Sequence, residues 1–298
     1  MDRASAMTGL EQLGWDDALA RAYEAWAGKQ DMQPGRILIE FNYIYRAWGP
    51  QGETEAVLAG RLKHRAASRG ELPAVGDWVA IRKRPDEDRG AIVGVLPRRS
   101  WFSRRMAGKV TGEQVVAANV DVVFLVMALD ADFSLRRLER YLLLARESGA
   151  SPVVLLTKPD LCADVEGRVG EVSAIGGGVP VHVVSPKLNL GVDRLVDYLP
   201  SGRTGALLGS SGVGKSTIIN RLVGRDVQKT KEVRESDSTG RHATSHRELV
   251  FLPHGGFIID TPGMRELQLW DVSEALTETF DDIEALAASC HFGNCRHR

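Results

Sequence analysis

The chain has 298 residues, 43% hydrophobic and 26% charged, with 38 Lys+Arg against 39 Asp+Glu and a formal net charge of −1. That length suggests two or three domains, the composition is that of an ordinary globular protein, and the charge balance by itself points to neither an acidic nor a basic partner. No apolar stretch approaches the roughly 20 residues of a membrane span, the first residues lack a signal-peptide core, and Cys162, Cys290 and Cys295 are no disulfide framework, so a cytoplasmic protein without membrane attachment is expected.

Residues Leu10 to Trp26 carry apolar positions at helical spacing (Leu13, Leu19, Ala20, Tyr23, Trp26), which predicts an N-terminal helical arm over 1–34. The texture then changes to short β-type runs at Arg36–Tyr45, Glu55–Leu62, Asp77–Ile81 and Ala91–Leu96, separated by Gly49-Pro50, Pro85-Asp86 and Asp88-Arg89-Gly90. Several short strands in so few residues predict a small barrel over 35–109, and the oligonucleotide-binding (OB) barrel is the common small one that also carries basic charge. From Arg36 to Lys109 there are 15 Lys/Arg against 8 Asp/Glu, so the basic surplus is local. It suits either a nucleic-acid surface or a merely solvated face. Arg98-Arg99-Ser100-Trp101-Phe102-Ser103-Arg104-Arg105 interleaves aromatics with guanidiniums, a pattern that serves either stacking on bases or packing the barrel against the next part of the chain.

After Val110 strands alternate with helices. Val120–Leu129 is a continuous apolar run, as in a strand buried on both faces. Ser134–Glu147 places Leu135, Leu138, Leu142 and Ala145 on one helical face, with Ser134 as N-cap and Gly149 as stop. Further strands are expected at Pro152–Leu156 and Pro180–Val184, a short helix at Gly191–Tyr198, a hairpin from Glu248–Leu252 and Gly256–Asp260, and a helical tail at Ser273–Ala288. The whole reads as an α/β fold with a mostly parallel sheet.

The chemistry lies in the loops. Gly209-Ser210-Ser211-Gly212-Val213-Gly214-Lys215-Ser216 follows the apolar run Ala206–Leu208 and opens an apolar-periodic segment at Thr217, the strand–turn–helix setting of a phosphate-binding loop. Its glycines let backbone N–H groups approach a polyphosphate at a helix N-terminus, Lys215 would reach the β- and γ-phosphates, and Ser216 would ligate Mg²⁺. Asp260-Thr261-Pro262-Gly263 ends an apolar strand, where Asp260 suits Mg²⁺ and the Gly263 N–H the γ-phosphate; between them Gly240-Arg241-His242-Ala243-Thr244 offers Thr244 as a second hydroxyl ligand. Thr157-Lys158-Pro159-Asp160 follows another buried strand. A carboxylate at Asp160 can accept from N1–H and N2–H₂ of guanine, for which adenine has no matching donors, while Lys158 lies along the base and Ser185-Pro186-Lys187 meets its edge from the other side. TKPD, SPK, the phosphate loop and DTPG each sit at the C-terminal end of an apolar run, where open α/β sheets bind ligands.

In ordinary GTPases the phosphate loop comes first and the guanine-reading motifs last; here TKPD and SPK precede GSSGVGKS, GRHAT and DTPG. With LPAVGDWV (72–79), LPRRS (96–100), AANVDVVFLVMALD (117–130) and LRRLERYL (135–142), the sequence closely resembles the circularly permuted GTPases of the small-ribosomal-subunit-dependent GTPase A family, RsgA/YjeQ type. The resemblance runs from about Gly35 to the last residue. It implies an RNA-binding OB barrel, a permuted GTPase domain over 110–272 and a helical zinc-binding domain over 273–298, acting with GTP and Mg²⁺ in late maturation of the small ribosomal subunit through that subunit and its rRNA. A monomer is expected. The family's guanine motif usually begins with Asn where this chain has Thr157, its switch reads GRHTT where this chain has Ala243, and Ser185-Pro186 stands for Ser-Ala.

Many GTPases place a glutamine after DxxG to orient the attacking water, but that position is Met264, whose thioether cannot do so. The resemblance assigns the task to His242, beside Lys215 and Thr244; a contact to RNA, or a solvated loop, is the other reading of that histidine. Cys290, Cys295 and His297 are soft donors at metal-like spacing for Zn²⁺, with a fourth donor to be found, His291 among the candidates; two reduced cysteines beside a terminal segment is the alternative. The rival functions are a nucleotide-gated RNA-binding checkpoint with incidental hydrolysis and a P-loop kinase, the latter leaving TKPD and DTPG without a purpose.

Overall fold

The computed structural model describes residues 9–83, 89–105, 113–224 and 247–260. Five strands, β1 (Met32–Phe41), β2 (Ile44–Gly49), β3 (Gly52–Leu58), β4 (Trp78–Arg82) and β5 (Gly90–Val95), run in the order β1-β2-β3-β5-β4 and close through a β1–β4 pairing into the expected barrel. The predicted run from Arg36 to Tyr45 proves to be two strands. Asn42 and Tyr43 both have positive φ (50° and 65°), the backbone of a two-residue hairpin turn, and an aromatic at the second position hides that turn from composition. Similarly the run to Leu62 stops at Leu58, and α2 (Gly60–Arg65) takes over.

The predicted N-terminal helix is broken. A 3-10 turn at Leu10–Leu13 ends on Gly14 at φ 88°, and α1 (Asp17–Tyr23) restarts with the Asp16 carboxylate accepting from Leu19 N–H at 2.9 Å. Gly14 is required: a Cβ there would lie 2.6 Å from the Gly202 carbonyl oxygen. The segment is packed against the barrel, with Trp15 edge-on to the buried Trp78 at 4.8 Å between ring centres, and β1 begins at Met32, ahead of the expected boundary at Gly35.

Residues Trp101–Arg105 (β6) and Glu113–Ala118 (β7) pair antiparallel as a small separate sheet. The aromatic–guanidinium segment divides its labour: Phe102 is buried, Trp101 is 43% exposed, Arg99 pairs with Asp16, and Arg98 is committed to the interior. Its guanidinium grips the fully buried Asp77 through Nε–Oδ1 (2.9 Å) and Nη2–Oδ2 (2.7 Å), and also donates to the carbonyls of Gly70 and Leu72. Burial pushes the Asp77 carboxyl above the usual range, against the opposing pull of Arg98.

The second half is built on β8 (Val122–Ala128), β9 (Ser151–Thr157), β10 (Val181–Val184), β11 (Thr204–Leu208), β12 (Arg247–Phe251) and β13 (Phe257–Asp260). The order is β10-β9-β8-β11-β13-β12, parallel except for β12. Alternate residues of β8 feed two cores. Val123, Leu125 and Met127 meet α3 (Leu135–Ser148) and α4 (Val165–Gly176), while Val122, Phe124 and Val126 meet α5 (Lys215–Val223) and the 3-10 helix Asp193–Tyr198. Ser134 and Gly149 cap α3 as expected. The predicted helix at Gly191–Tyr198 is confined to that 3-10 segment, and α4 went unpredicted because its glycines and single buried valine, Val172, leave little apolar periodicity.

The two halves share one sheet. β12 pairs antiparallel with β1 (Ile39 opposite Glu248, Glu40 opposite Arg247), reinforced by an ion pair between Arg247 and Glu40 at 3.1 Å. Beneath this seam Arg36 is 1% exposed and donates to the carbonyls of Leu13, Gly76 and Asn119 and to Thr204 Oγ1 (2.7 Å), with its guanidinium over the rings of Trp78 and Phe257. Burial lowers its pKa to about 10, and Asp121 partly restores it.

Removing the guanidinium from Asp77 strands a buried carboxylate. Arg98→Met is expected to cost about 3–5 kcal/mol in urea unfolding, with most of it regained in Arg98→Met/Asp77→Asn. A loss below about 1 kcal/mol would show that the charge of this pair contributes little to the barrel.

Candidate functional site

Because β8, β9, β10, β11 and β13 run parallel, their C-terminal ends share one edge, and four of the five stretches singled out in the sequence begin there. The phosphate loop leaves β11 at Gly209, where a Cβ would sit 2.2 Å from the Val126 carbonyl oxygen, so only glycine lets this strand pass β8 so closely. Gly212 and Gly214 take φ of 80° and 100°, turning the chain into α5, whose first turn holds Lys215, Ser216 and Thr217. Val213 is buried under the loop, and the Lys215 ammonium curls back to donate to the carbonyls of Gly209 (2.6 Å) and Ser210. Ser211 is exposed on the rim.

The Thr157-Lys158-Pro159-Asp160 turn leaves β9 beside it. Thr157 is 1% exposed and its hydroxyl donates to the Val213 carbonyl at 2.7 Å, with Met127 O more distant at 3.4 Å. The residue that stands where the family has asparagine thus ties this strand to the phosphate loop. Lys158 adopts the left-handed conformation (φ 56°, ψ 49°), which swings Pro159 and the exposed Asp160 into a 3-10 turn at the edge. On the neighbouring strand Ser185 exchanges backbone hydrogen bonds with Leu190 (2.9 Å each), and its hydroxyl accepts from Leu188 N–H at 3.3 Å. That closed turn sets Pro186 and the exposed Lys187 on the rim, and Arg221 of α5 holds it through the Asn189 side chain.

Three polar residues to which the sequence assigned no role stand on the same edge. Asp130 and Asp132 follow β8 directly, and Arg137 lies in the first turn of α3; Asp130 pairs with Lys158 at 2.7 Å, and Arg137 reaches both Asp132 and Ser210 Oγ. The Lys158 hydrogen bond holds the Asp130 carboxyl below its usual range, and Arg137 does the same for Asp132. A signal for them is present in the sequence: two aspartates at the C-terminal end of a fully buried strand occupy the ligand edge as surely as TKPD does.

His242, Thr244, Gly263, Cys290, Cys295 and His297 lie outside the described residues, and of Asp260 only the backbone is described, as the last residue of β13. The expected zinc set therefore enters no step of the mechanism. Among the described residues no group of three or more His, Cys, Asp or Glu is placed to hold a metal, and no helix is long and apolar enough to cross a membrane.

Residues 95–270 match the family described as RsgA GTPase, more than half of the chain. The chain belongs to the RsgA GTPase family. It is 49% identical to the small ribosomal subunit biogenesis GTPase RsgA of Opitutus terrae, in an alignment covering 97% of this chain and 81% of that protein, and 42% identical to the protein of the same name from Syntrophotalea carbinolica, covering 97% and 80%. Among solved structures it resembles YjeQ from Thermotoga maritima, with TM-score 0.63, 25% identity and coverage of 89% of this chain and 87% of that one. It shares its fold with YloQ, described as a circularly permuted GTPase, at TM-score 0.58 and 23% identity, covering 91% and 86%. The permuted order read from the RsgA-like sequence is thus matched in the fold, with the TKPD turn preceding the GSSGVGKS loop along one sheet edge.

Thr157→Val keeps the shape and removes the hydroxyl that meets Val213. Leaving that carbonyl unpaired is expected to cost about 1–3 kcal/mol of stability and to weaken GDP binding by about tenfold in a fluorescence titration. Unchanged affinity would show that this hydrogen bond does not position the phosphate loop.

Proposed function

We propose that this chain is a GTP hydrolase that binds the small ribosomal subunit and acts in its late maturation, with hydrolysis stimulated by the subunit and coupled to release. The observation that carries the reading is the joining of the TKPD turn to the phosphate loop through Thr157 and Val213 in a chain of the RsgA GTPase family. One guanine nucleotide fits across that joint. Asp160 accepts from the base, Lys158 lies along it, and Ser185, Pro186 and Lys187 border its other edge. The phosphates fall to the backbone of Gly209–Gly214, where Lys215 exchanges its loop carbonyls for phosphate oxygens.

The donor set suits a hard cation. Ser216 lies half-buried in the first turn of α5, and Asp260 ends β13 next to the strand that feeds the phosphate loop, so a hydroxyl and a carboxylate from adjacent elements would hold Mg²⁺, with Thr244 as the switch ligand. Bound there, Mg²⁺ supplies neutralisation of charge on the phosphate oxygens. Water attacks the γ-phosphorus, the bond to the β–γ bridging oxygen breaks, and GDP and phosphate leave. With Met264 in place of the usual glutamine, His242 orients that water, and intrinsic turnover is slow until the subunit binds.

The barrel supplies the rRNA contact. At the β1–β2 turn Phe41 is 51% exposed and Tyr43 and Ile44 are partly exposed, with Lys63 5.5 Å and Arg69 5.0 Å from the centre of the Tyr43 ring. An exposed aromatic held between cations favours unpaired bases and phosphates over a merely solvated face.

GTP hydrolysis is to be measured with and without small subunits, with ATP as control. Strong stimulation confined to GTP is expected, with His242→Ala binding GTP and the subunit but failing to release from it. Fast turnover alone, indifferent to subunits, would overturn the reading. Release by the histidine variant at the normal rate would favour the checkpoint in which hydrolysis is incidental. Tyr43→Ala/Lys63→Ala is expected to weaken subunit binding by about tenfold while leaving intrinsic hydrolysis unchanged.

A further inference from the structure

We propose that Asp130, Asp132 and Arg137 form a polar relay that fixes the phosphate loop relative to the guanine-reading turn, which makes Arg137 a positioning residue for the phosphates of the nucleotide. The inference rests on the guanine nucleotide reading and adds residues outside TKPD, SPK, GSSGVGKS, GRHAT and DTPG.

The links are continuous. Lys158 Nζ donates to Asp130 Oδ2 at 2.7 Å, and Asp130 Oδ1 accepts the Asp132 N–H at 2.9 Å. Asp132 Oδ2 and its carbonyl accept from Arg137 Nη1, which also donates to Ser210 Oγ at 2.6 Å. Ser210 also helps Arg137 hold the Asp132 carboxyl below its usual range. Ser134 anchors the far side by capping α3. Ser210 is therefore held twice, by Arg137 through its side chain and by Lys215 through its carbonyl.

The charge arrangement gives Arg137 a task that packing alone does not. Asp132 is a carboxylate joined through Arg137 to a side chain of the phosphate loop, and polyphosphate enters the same loop. The Arg137 guanidinium neutralises Asp132 and ties it to Ser210. Without it, a like charge faces the incoming phosphates, and the penalty grows with the charge of the nucleotide. All three contacts come from a single nitrogen, Nη1, so a lysine ammonium with three donors can replace most of them.

The test compares the affinities of GMP and GDP for the full chain and its variants. Arg137→Ala is expected to weaken GDP by about tenfold and GMP by less than about threefold; Arg137→Lys should stay within about threefold of wild type for both. Adding Asp132→Asn to Arg137→Ala should return part of the GDP affinity, because the uncompensated charge is gone. Equal losses for GMP and GDP, or a double variant as weak as the product of the two single changes, would overturn the relay. If Arg137→Ala does not fold, judged by its melting in the absence of nucleotide, the same comparison is made between Asp132→Asn and Arg137→Gln, which removes the charge but keeps the volume. There, coupling between the sites supports the relay and strict additivity contradicts it. The wild type separates the two readings: absence of guanine nucleotide binding removes the function and the relay together, whereas normal binding and hydrolysis with indifferent variants removes only the relay.

Discussion

The Thr157 hydroxyl donates to the Val213 carbonyl at 2.7 Å from a position that is 1% exposed, and through that contact two loops 56 residues apart become one site. A buried carbonyl needs a partner, so separating the loops would leave a polar group stranded in the sheet edge. The geometry around it follows from strand direction. In a parallel sheet every strand delivers its following loop to the same edge, whatever the order in which the chain visits the strands. Permuting the chain therefore moves the termini and leaves the site intact.

A second constraint joins the site to the barrel. Arg36 sits in β1 with four acceptors drawn from the N-terminal segment, the β4 approach, the β7–β8 connection and the start of β11, a web that no single carboxylate completes. A guanidinium with five N–H donors can be buried this way where an ammonium cannot. Its contact with Thr204 pins the start of the strand whose other end opens into the phosphate loop. With the β1–β12 pairing, the surface carrying Tyr43 and the edge carrying Lys215 belong to one continuous sheet.

The strands of the second half were legible because burial on both faces leaves an unbroken apolar run, as in Val122–Ala128, and because glycine-rich turns announce themselves. The capped helix at Leu135–Ser148 was legible for the same local reasons. Where prediction failed, the deciding contact was long-range or the turn residue was atypical. Tyr43 occupies a left-handed position that composition assigns to glycine or asparagine, and Gly14 breaks an apparently periodic helix because the Gly202 carbonyl presses against it. In the site, TKPD and GSSGVGKS carry their chemistry in local spacing. The Asp130–Asp132–Arg137 contacts do not, since Arg137 meets Ser210 across 73 residues. In the sequence Thr157 is only a departure from the family's asparagine, and its link to Val213 across 56 residues is visible only in the fold.

The proposed function requires Asp160 and Lys215 to grip opposite ends of one guanine nucleotide, and the sharpest probe of that is base selectivity. Xanthine carries a carbonyl where guanine carries the 2-amino group, so an amide at position 160 offers a donor where the carboxylate offered only acceptors. For Asp160→Asn, competition binding with GTP and xanthosine triphosphate should show the preference reversed, by about 10²-fold or more. A variant that still prefers GTP by the wild-type margin would contradict the convergence of the two loops on one nucleotide.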